Sequence, residues 1–476
     1  MAVAVLAFVL PATAAASPKK ASITEVGHEP LLNRGMNAAI AVNGDYAYIG
    51  SRTDGSHPGL PTGGIMVVDI SKPHKPELVT KTPLDARPGE SSRELRVWRS
   101  QQILIVLNTN CGGATAHLCQ QPSINSFRFY DISGSNATHP RLIAETEEHT
   151  HEFFLWEDPN NPERALIFGG SAGSTCGMHV CPFSVWDISA VPDGGAPVTL
   201  FSGLHGFTAV PAAQLPTGGL HSLSISNDGT RAYFALLTGG FAVVDTSDFA
   251  FGRAMPQPRP ITLNEARPFW AGPGAHSAIK FWGRDWAYVS DEVYGTVTGE
   301  GHGCPWGWAR MIDISDPQRP VVKAEYRLPE NDPATCATWN PPRTSYSAHN
   351  PTLTPNLVLT TWHSGGFQVI GINDPLHPEQ LAEFFPEPLA SVALEDPRLS
   401  SDPDTGRHEK VVMWSYPIIQ DGLIYVVDLR NGLYVLRYKG PFEREVRKTA
   451  FLEGNSNQGD ALCFDPVPGA EARCGR

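Results

Sequence analysis

Four histidines open four hydrophobic segments in the same way. His151 begins H-E-F-F-L, His221 begins H-S-L-S-I, His276 begins H-S-A-I-K and His349 begins H-N-P-T-L. The chain holds only 16 histidines, so four at matching positions form a concentrated signal. Neutral imidazole suits zinc, copper, iron and nickel, and four imidazoles leave a cation's charge undiminished, with positions open for chemistry. The pattern therefore predicts a metal centre on His151, His221, His276 and His349, with iron or copper favoured and zinc or manganese next. A ligating imidazole usually donates its second N–H to a carboxylate or carbonyl, and Glu148, Glu152, Asp291 and Glu292 lie close to two of the histidines or to the same face by sequence position. Glu152 and Glu292, with Arg93 as a contact for an anionic or carboxylate group, are the candidate catalytic side chains. His149 and His363 are alternative ligands. A polar, water-filled lining is the plainer use of the same rings.

Residues so far apart in the chain can meet only if a repeated fold brings them together. The repeat is read from its most regular copy, GGIMVVDISKPHKPELV, which starts at Gly63; later copies start at Asn125, Cys181, Gly239, Gly307, Gly365 and Asn431. The period is about sixty residues, longer than most propeller repeats and with room for insertions. Each copy follows two apolar segments with a turn between them, such as Asn43-Gly44, Asp228-Gly229 or Asp421-Gly422, where a tight hairpin needs positive φ. Adding the strand after the motif gives four strands per unit. Seven units of four antiparallel strands make an all-β, seven-bladed β-propeller, which leaves little exposed sheet edge. The first strand of each blade is innermost, so the residues that open it converge on the axial mouth. Asn37, Arg93 and Trp414 hold that place in the other three units. Residues 22–27 or 449–453 should close the ring as the outer strand of the last blade. Only 443–452 has any helical character. The repeat aspartates Asp69, Asp131, Asp187, Asp245 and Asp313 read as turn formers.

VVDISKPHKPELV and MIDISDPQRPVVKAEY resemble the LVIVD repeat of exported microbial propellers. That resemblance implies the fold and export, and it assigns no chemistry. Four histidines on separate blades are also similar in architecture, without a shared linear motif, to carotenoid cleavage oxygenases, which hold iron this way. A looser likeness is to the copper site of selenium-binding and methanethiol oxidase propellers.

Export is also read from the residues. The chain begins with an apolar run to Leu10, then Pro11 and a series of small residues, which predicts a signal peptide over residues 1–16, cut after Ala14 or Ala16. The propeller is expected over 22–455 and a tail over 456–476. No later stretch is apolar enough to cross a bilayer, so the expected product is a secreted, periplasmic or cell-surface monomer. Eight cysteines agree with export, and the economical pairing joins neighbours: Cys111 with Cys119, Cys176 with Cys181, Cys304 with Cys336, and Cys463 with Cys474. Segments 51–63, 108–125, 170–181 and 291–307 should rise as long loops over the histidine face. Trp306, Trp308, Trp339, Phe269 and Trp270 would either line a pocket there or pack between blades, with packing the commoner use.

The net charge of −13, from 49 acidic and 36 basic residues without a basic block, argues against nucleic-acid binding. There is no phosphate-binding glycine loop, no H-E-x-x-H and no calcium-loop pattern. A carboxylate pair for glycoside hydrolysis could come from any two blades, so that chemistry stays open. Two functions fit: a metal-dependent oxidoreductase acting on a small organic substrate, with Lewis-acid hydrolysis or lysis as a variant, or a non-catalytic binding propeller with a structural ion or water at its axis.

Overall fold

The computed structural model describes residues 21–53, 63–80, 84–110, 125–148, 150–170, 183–203, 219–270, 274–292, 307–332 with 334, 346–396 and 410–456. Short apolar runs interrupted by turn residues become seven antiparallel sheets, each winding outward from the axis. Blade one is Asn37–Asn43, Tyr46–Ser51, Met66–Asp69 and Glu77–Leu78. Blade two is Glu90–Trp98, Ile103–Asn110, Ser126–Asp131 and Arg141–Glu147. Blade three is Glu152–Glu157, Ala165–Gly170, Phe183–Asp187 and Val198–Gly203. Blade four is Ser222–Ile225, Arg231–Ala235, Phe241–Asp245 and Arg259–Pro260. Blade five is Gly274–Lys280, Trp286–Glu292, Ala309–Asp313 and Val321–Tyr326. Blade six is Pro351–Leu353, Leu357–Thr361, Phe367–Gly371 and Glu379–Phe384.

Inner strands are buried on both faces because each blade is covered by its two neighbours, which is why they read as nearly unbroken apolar runs. The core is a series of clusters between blades; in one of them Phe154, Trp156 and Phe168 of blade three meet Leu223, Phe234 and Val244 of blade four. The repeat aspartates act as expected. Asp69, Asp131, Asp187, Asp245 and Asp313 each accept, through Oδ1, the backbone N–H of the serine two residues on, at 2.8 to 3.0 Å.

Ring closure uses both terminal candidates, in different places. Ser22–Glu29 pairs with Gly432–Lys439 and supplies the outer strand of blade seven, whose inner strands are Ile418–Gln420 and Leu423–Asp428. That place being filled, the short helix Glu443–Arg447 turns the chain back toward the axis. Phe451–Glu453 then pairs with Ile418–Gln420 on the inner edge, making a fifth strand. The segment continues across the axis: Asn455 accepts a hydrogen bond from the backbone N–H of Leu155 in blade three, and Gly454 donates to Thr352 Oγ1 in blade six. A Cβ on Gly454 would lie 2.0 Å from the Pro351 carbonyl oxygen, so only glycine fits there.

The leader, the tail beyond 456, the eight cysteines, His149, Trp306, Trp339 and most of the four long segments lie outside the described residues. Where these segments start is visible. Gly170 pairs with Glu152 and Glu292 with Gly274, so they leave from the ends of second strands beside the starts of inner strands. Among the described residues no helix is long and apolar enough to cross a membrane.

Candidate metal centre

The inner strands bring the predicted histidines side by side around one mouth of the axis. Neighbouring ring centroids lie 4.5 Å apart for His151 and His221, 4.0 Å for His221 and His276, and 4.4 Å for His276 and His349. His363 extends the arc, 4.7 Å from His349. His276 is the extra residue of a β-bulge between Ala275 and Ser277, and Arg93 occupies the matching bulge in blade two between Ser92 and Glu94. Bulges at the rims of sheets re-aim a side chain, and here they turn one imidazole inward. His363 has a left-handed backbone, φ 38°, in the W-H-S-G-G turn. Leu237 takes the same conformation in the L-L-T-G-G turn of blade four, so the conformation belongs to the turn.

Two carboxylates run along the arc. Glu152 Oε1 lies 3.3 Å from His276 Nε2 and 3.9 Å from His221 Nδ1. The Glu292 oxygens lie 3.3 Å from His276 Nε2, 3.4 Å from His349 Nε2 and 3.3 Å from His363 Nε2. Among the described residues, donor atoms within 4.8 Å of one another form four groups: His151–Glu152–His221, Glu152–His276–His349, His221–His276–Glu292 and Glu292–His349–His363. Each group is two histidines and one carboxylate. Glu148 and Asp291 enter none of them; Asp291 is ion-paired with Arg310, which lies over the rings of Trp270 and Trp308. Those two tryptophans thus pack on an arginine of blade five. Asn37 turns to the blade one and seven junction, where it accepts from Arg34 and donates to the carbonyls of Asp428 and Leu429.

One outer contact fixes a ring tautomer. His349 Nδ1 lies 2.6 Å from the Trp414 carbonyl oxygen, and a carbonyl only accepts, so Nδ1 carries the proton. His349 Nε2 then presents its lone pair to Glu292 Oε1. His276 Nδ1 is 2.8 Å from Ser277 Oγ, which is 2.9 Å from the Tyr416 hydroxyl. The Trp414 ring covers His349 and stacks on His363 at an interplanar angle of 8°. The sequence gives Trp414 only a place in the ring. Tyr416 leaves no signal beyond its position two residues later, at the start of blade seven.

Burial governs protonation. It depresses His221 to about 3, helped by His276, and His276 to about 4. Burial likewise lowers His151, His349 and His363, with the Arg93 charge adding to the effect at His151. Burial works against the Glu292 carboxylate, but His349, His276 and His363 outweigh it and hold its carboxyl well below the usual range. Glu152 is pushed up, chiefly by burial. The rings are thus neutral, as a metal ligand must be.

Fold and site together define a seven-bladed β-propeller with a histidine and carboxylate cluster at one axial mouth. Residues 34–82 match the LVIVD repeat family. Among curated proteins none matches the chain. Solved propellers are similar at low identity. The periplasmic gluconolactonase of Pseudomonas aeruginosa is 15% identical over 83% of this chain and 95% of its own, with a TM-score of 0.49. Sqt1 from Chaetomium thermophilum is 16% identical over 88% and 86%, with a TM-score of 0.45. A hypothetical selenium-binding protein from Sulfolobus tokodaii is 15% identical over 62% and 66%, with a TM-score of 0.40. At these identities no ligand or activity carries over to this chain.

Proposed function

We propose that this protein is an exported, metal-dependent oxidoreductase that acts on a small organic substrate at the axial mouth. One observation carries the reading: acceptor atoms face each other where only a cation or a proton can reconcile them. The unprotonated His349 Nε2 looks at an ionised Glu292 oxygen from 3.4 Å. A metal held by bonds of about 2.0–2.1 Å in tetrahedral geometry separates its donors by about 3.3–3.4 Å, and the His276, His349 and His363 nitrogens all stand at that distance from carboxylate oxygens. Glu152 Oε2 and His221 Nδ1 are also buried and have no hydrogen-bond partner among the described residues, so the donor set fits a cation.

Two histidines and one carboxylate with open positions is the ligand set of non-haem iron oxygenases, which puts iron first; such an ion supplies dioxygen activation when bound. The chain's own residues do the rest. Glu152 would hold the ion through one oxygen and leave Oε2, which has no hydrogen-bond partner among the described residues, to take up a proton from the reacting group. Arg93, half-buried in its bulge, supplies a positive contact for an anionic substrate group. Trp414 covers the His349 and His363 end of the arc and excludes water from it.

Metal analysis of protein purified without a histidine tag tests this proposal. Stoichiometric iron, reduced in the His221→Ala/His276→Ala variant while the fold persists, supports it. Absence of bound metal, with a melting temperature indifferent to EDTA, refutes it and leaves a binding propeller. Zinc in place of iron would redirect the reading to hydrolysis, since two histidines and a glutamate also make catalytic zinc sites.

Two further outcomes follow from the surrounding contacts. Ser277→Ala removes the hydroxyl that holds His276 Nδ1 and should weaken metal affinity by about 10–100-fold with the melting temperature of the metal-free protein little changed. Stripped of metal, the protein should lose the stability that neutral His221 and His276 contribute as pH falls from about 6.5 toward 4. Over that window the unfolded chain protonates its histidines while His221, at about 3, and His276, at about 4, stay neutral in the folded state. The unfolded state therefore binds more protons, and acidification favours it. Urea melts in EDTA at a series of pH values, compared between wild type and His221→Ala/His276→Ala, measure this as the difference between the two profiles; a difference that does not change with pH would show these rings to be solvated.

A further inference from the structure

We propose that the cluster holds two metal ions, each on its own pair of histidines and one carboxylate. The inference rests on the metal-binding reading above and extends it. Five imidazoles and two carboxylates meet at the mouth, more donors than the four of a tetrahedral or the six of an octahedral ion. They do not surround one point. His151–Glu152–His221 and Glu292–His349–His363 share no residue, and among the described residues no group joins His151 or His221 to His349 or His363.

The residues between the two triads fit a pair of ions. His276 Nε2 lies 3.3 Å from Glu152 Oε1 and 3.3 Å from Glu292 Oε2, at the midline. Each carboxylate also looks beyond its own triad: Glu152 groups with His276 and His349, and Glu292 with His221 and His276. Carboxylates placed to face both ions screen the repulsion between two dications, which in two-metal enzymes sit about 3.5–4 Å apart. His276 lies on the inner strand Gly274–Lys280 and His363 in a tight turn, while His151, His221 and His349 stand just ahead of inner strands with their backbone N–H groups bonded to the second-strand side at Gly170, Ala235 and Thr361, so both triads have a fixed backbone before any ion arrives.

The test uses the tag-free full chain, stripped with EDTA, titrated with Zn(II) by calorimetry and analysed for metal after gel filtration. Two zinc ions per chain are expected, and Co(II) absorbance should rise to a break at two equivalents. His151→Ala/His221→Ala and His349→Ala/His363→Ala should each retain one. One zinc per wild-type chain overturns the two-ion proposal and leaves the metal centre standing; none overturns both. The wild-type stoichiometry decides even if a double variant fails to fold.

Discussion

Glu292→Gln is expected to lower Zn(II) affinity by well over a hundredfold and, in the same molecule, to leave the metal-free protein as stable as the wild type or more so. Glu292 is within 3.4 Å of three imidazole nitrogens, those of His276, His349 and His363. Loss of an outer-shell partner alone weakens metal binding by about 10–100-fold; removing a charged donor that faces three rings must exceed that. The second half of the expectation follows from the tautomer of His349. Its Nδ1 proton is committed to the Trp414 carbonyl, so without metal its Nε2 lone pair opposes a carboxylate. A glutamine amide can donate to that nitrogen, and a buried charge that faces a lone pair is exchanged for a neutral group of the same shape, which removes its desolvation cost. Calorimetry with zinc and thermal melts in EDTA read the two effects separately. Unchanged affinity would remove Glu292 from the ligand set, and a large loss of metal-free stability would make its ion pairs structural.

Much of this centre is visible in the sequence because a propeller converts repetition into convergence. Once the seven motif copies are aligned, the residue that opens each inner strand must face the axis, so His151, His221, His276 and His349 can be gathered without coordinates. The carboxylates are half visible. Glu152 follows His151 directly, whereas Glu292 ends a second strand and reaches the mouth only because that strand runs antiparallel to Gly274–Lys280. Asp291, one residue earlier, points to the other face of the pleat and pairs with Arg310; adjacency in sequence cannot choose between them until the register is known. His363 belongs to a turn with positive φ, and its inward aim depends on turn geometry and not on strand periodicity. The two roles of the termini were also beyond pattern reading. A strand signal at 449–453 says that the segment pairs, and only the prior occupation of the outer edge by Ser22–Glu29 decides that it pairs at the axis.

That axial strand leads to the second large effect, at a residue that is not itself a candidate ligand. Arg96 is fully buried and holds the C-terminal segment in place: Nε donates to the Asn455 carbonyl at 3.0 Å, and the guanidinium lies 3.6 Å from Glu453 and 3.3 Å from Glu94. It also lies 5.1 Å from the ring centroid of Tyr416, which joins it to the relay beneath His276. Arg96→Met should cost about 3–5 kcal/mol, the usual result of deleting one partner of a buried ion cluster. The deficit should grow with pH, for a reason already visible in the wild type. Burial raises both Glu94 and Glu453 to about 7 even with the arginine present. A carboxyl raised in the folded state keeps a proton that the unfolded chain gives up above about 4.5, so the contribution of these two groups to stability falls as pH climbs from there through 7, opposite in sign to that of the buried histidines. Without Arg96 the folded values rise further, and the loss continues above neutrality. Denaturant melts of wild type and Arg96→Met at pH 5 and pH 8 should therefore diverge, with the wider gap at pH 8. Equal gaps would mean that the two glutamates do not depend on Arg96 for their charge, and that the axial strand is held by its backbone hydrogen bonds to Ile418–Gln420 and Leu155 alone.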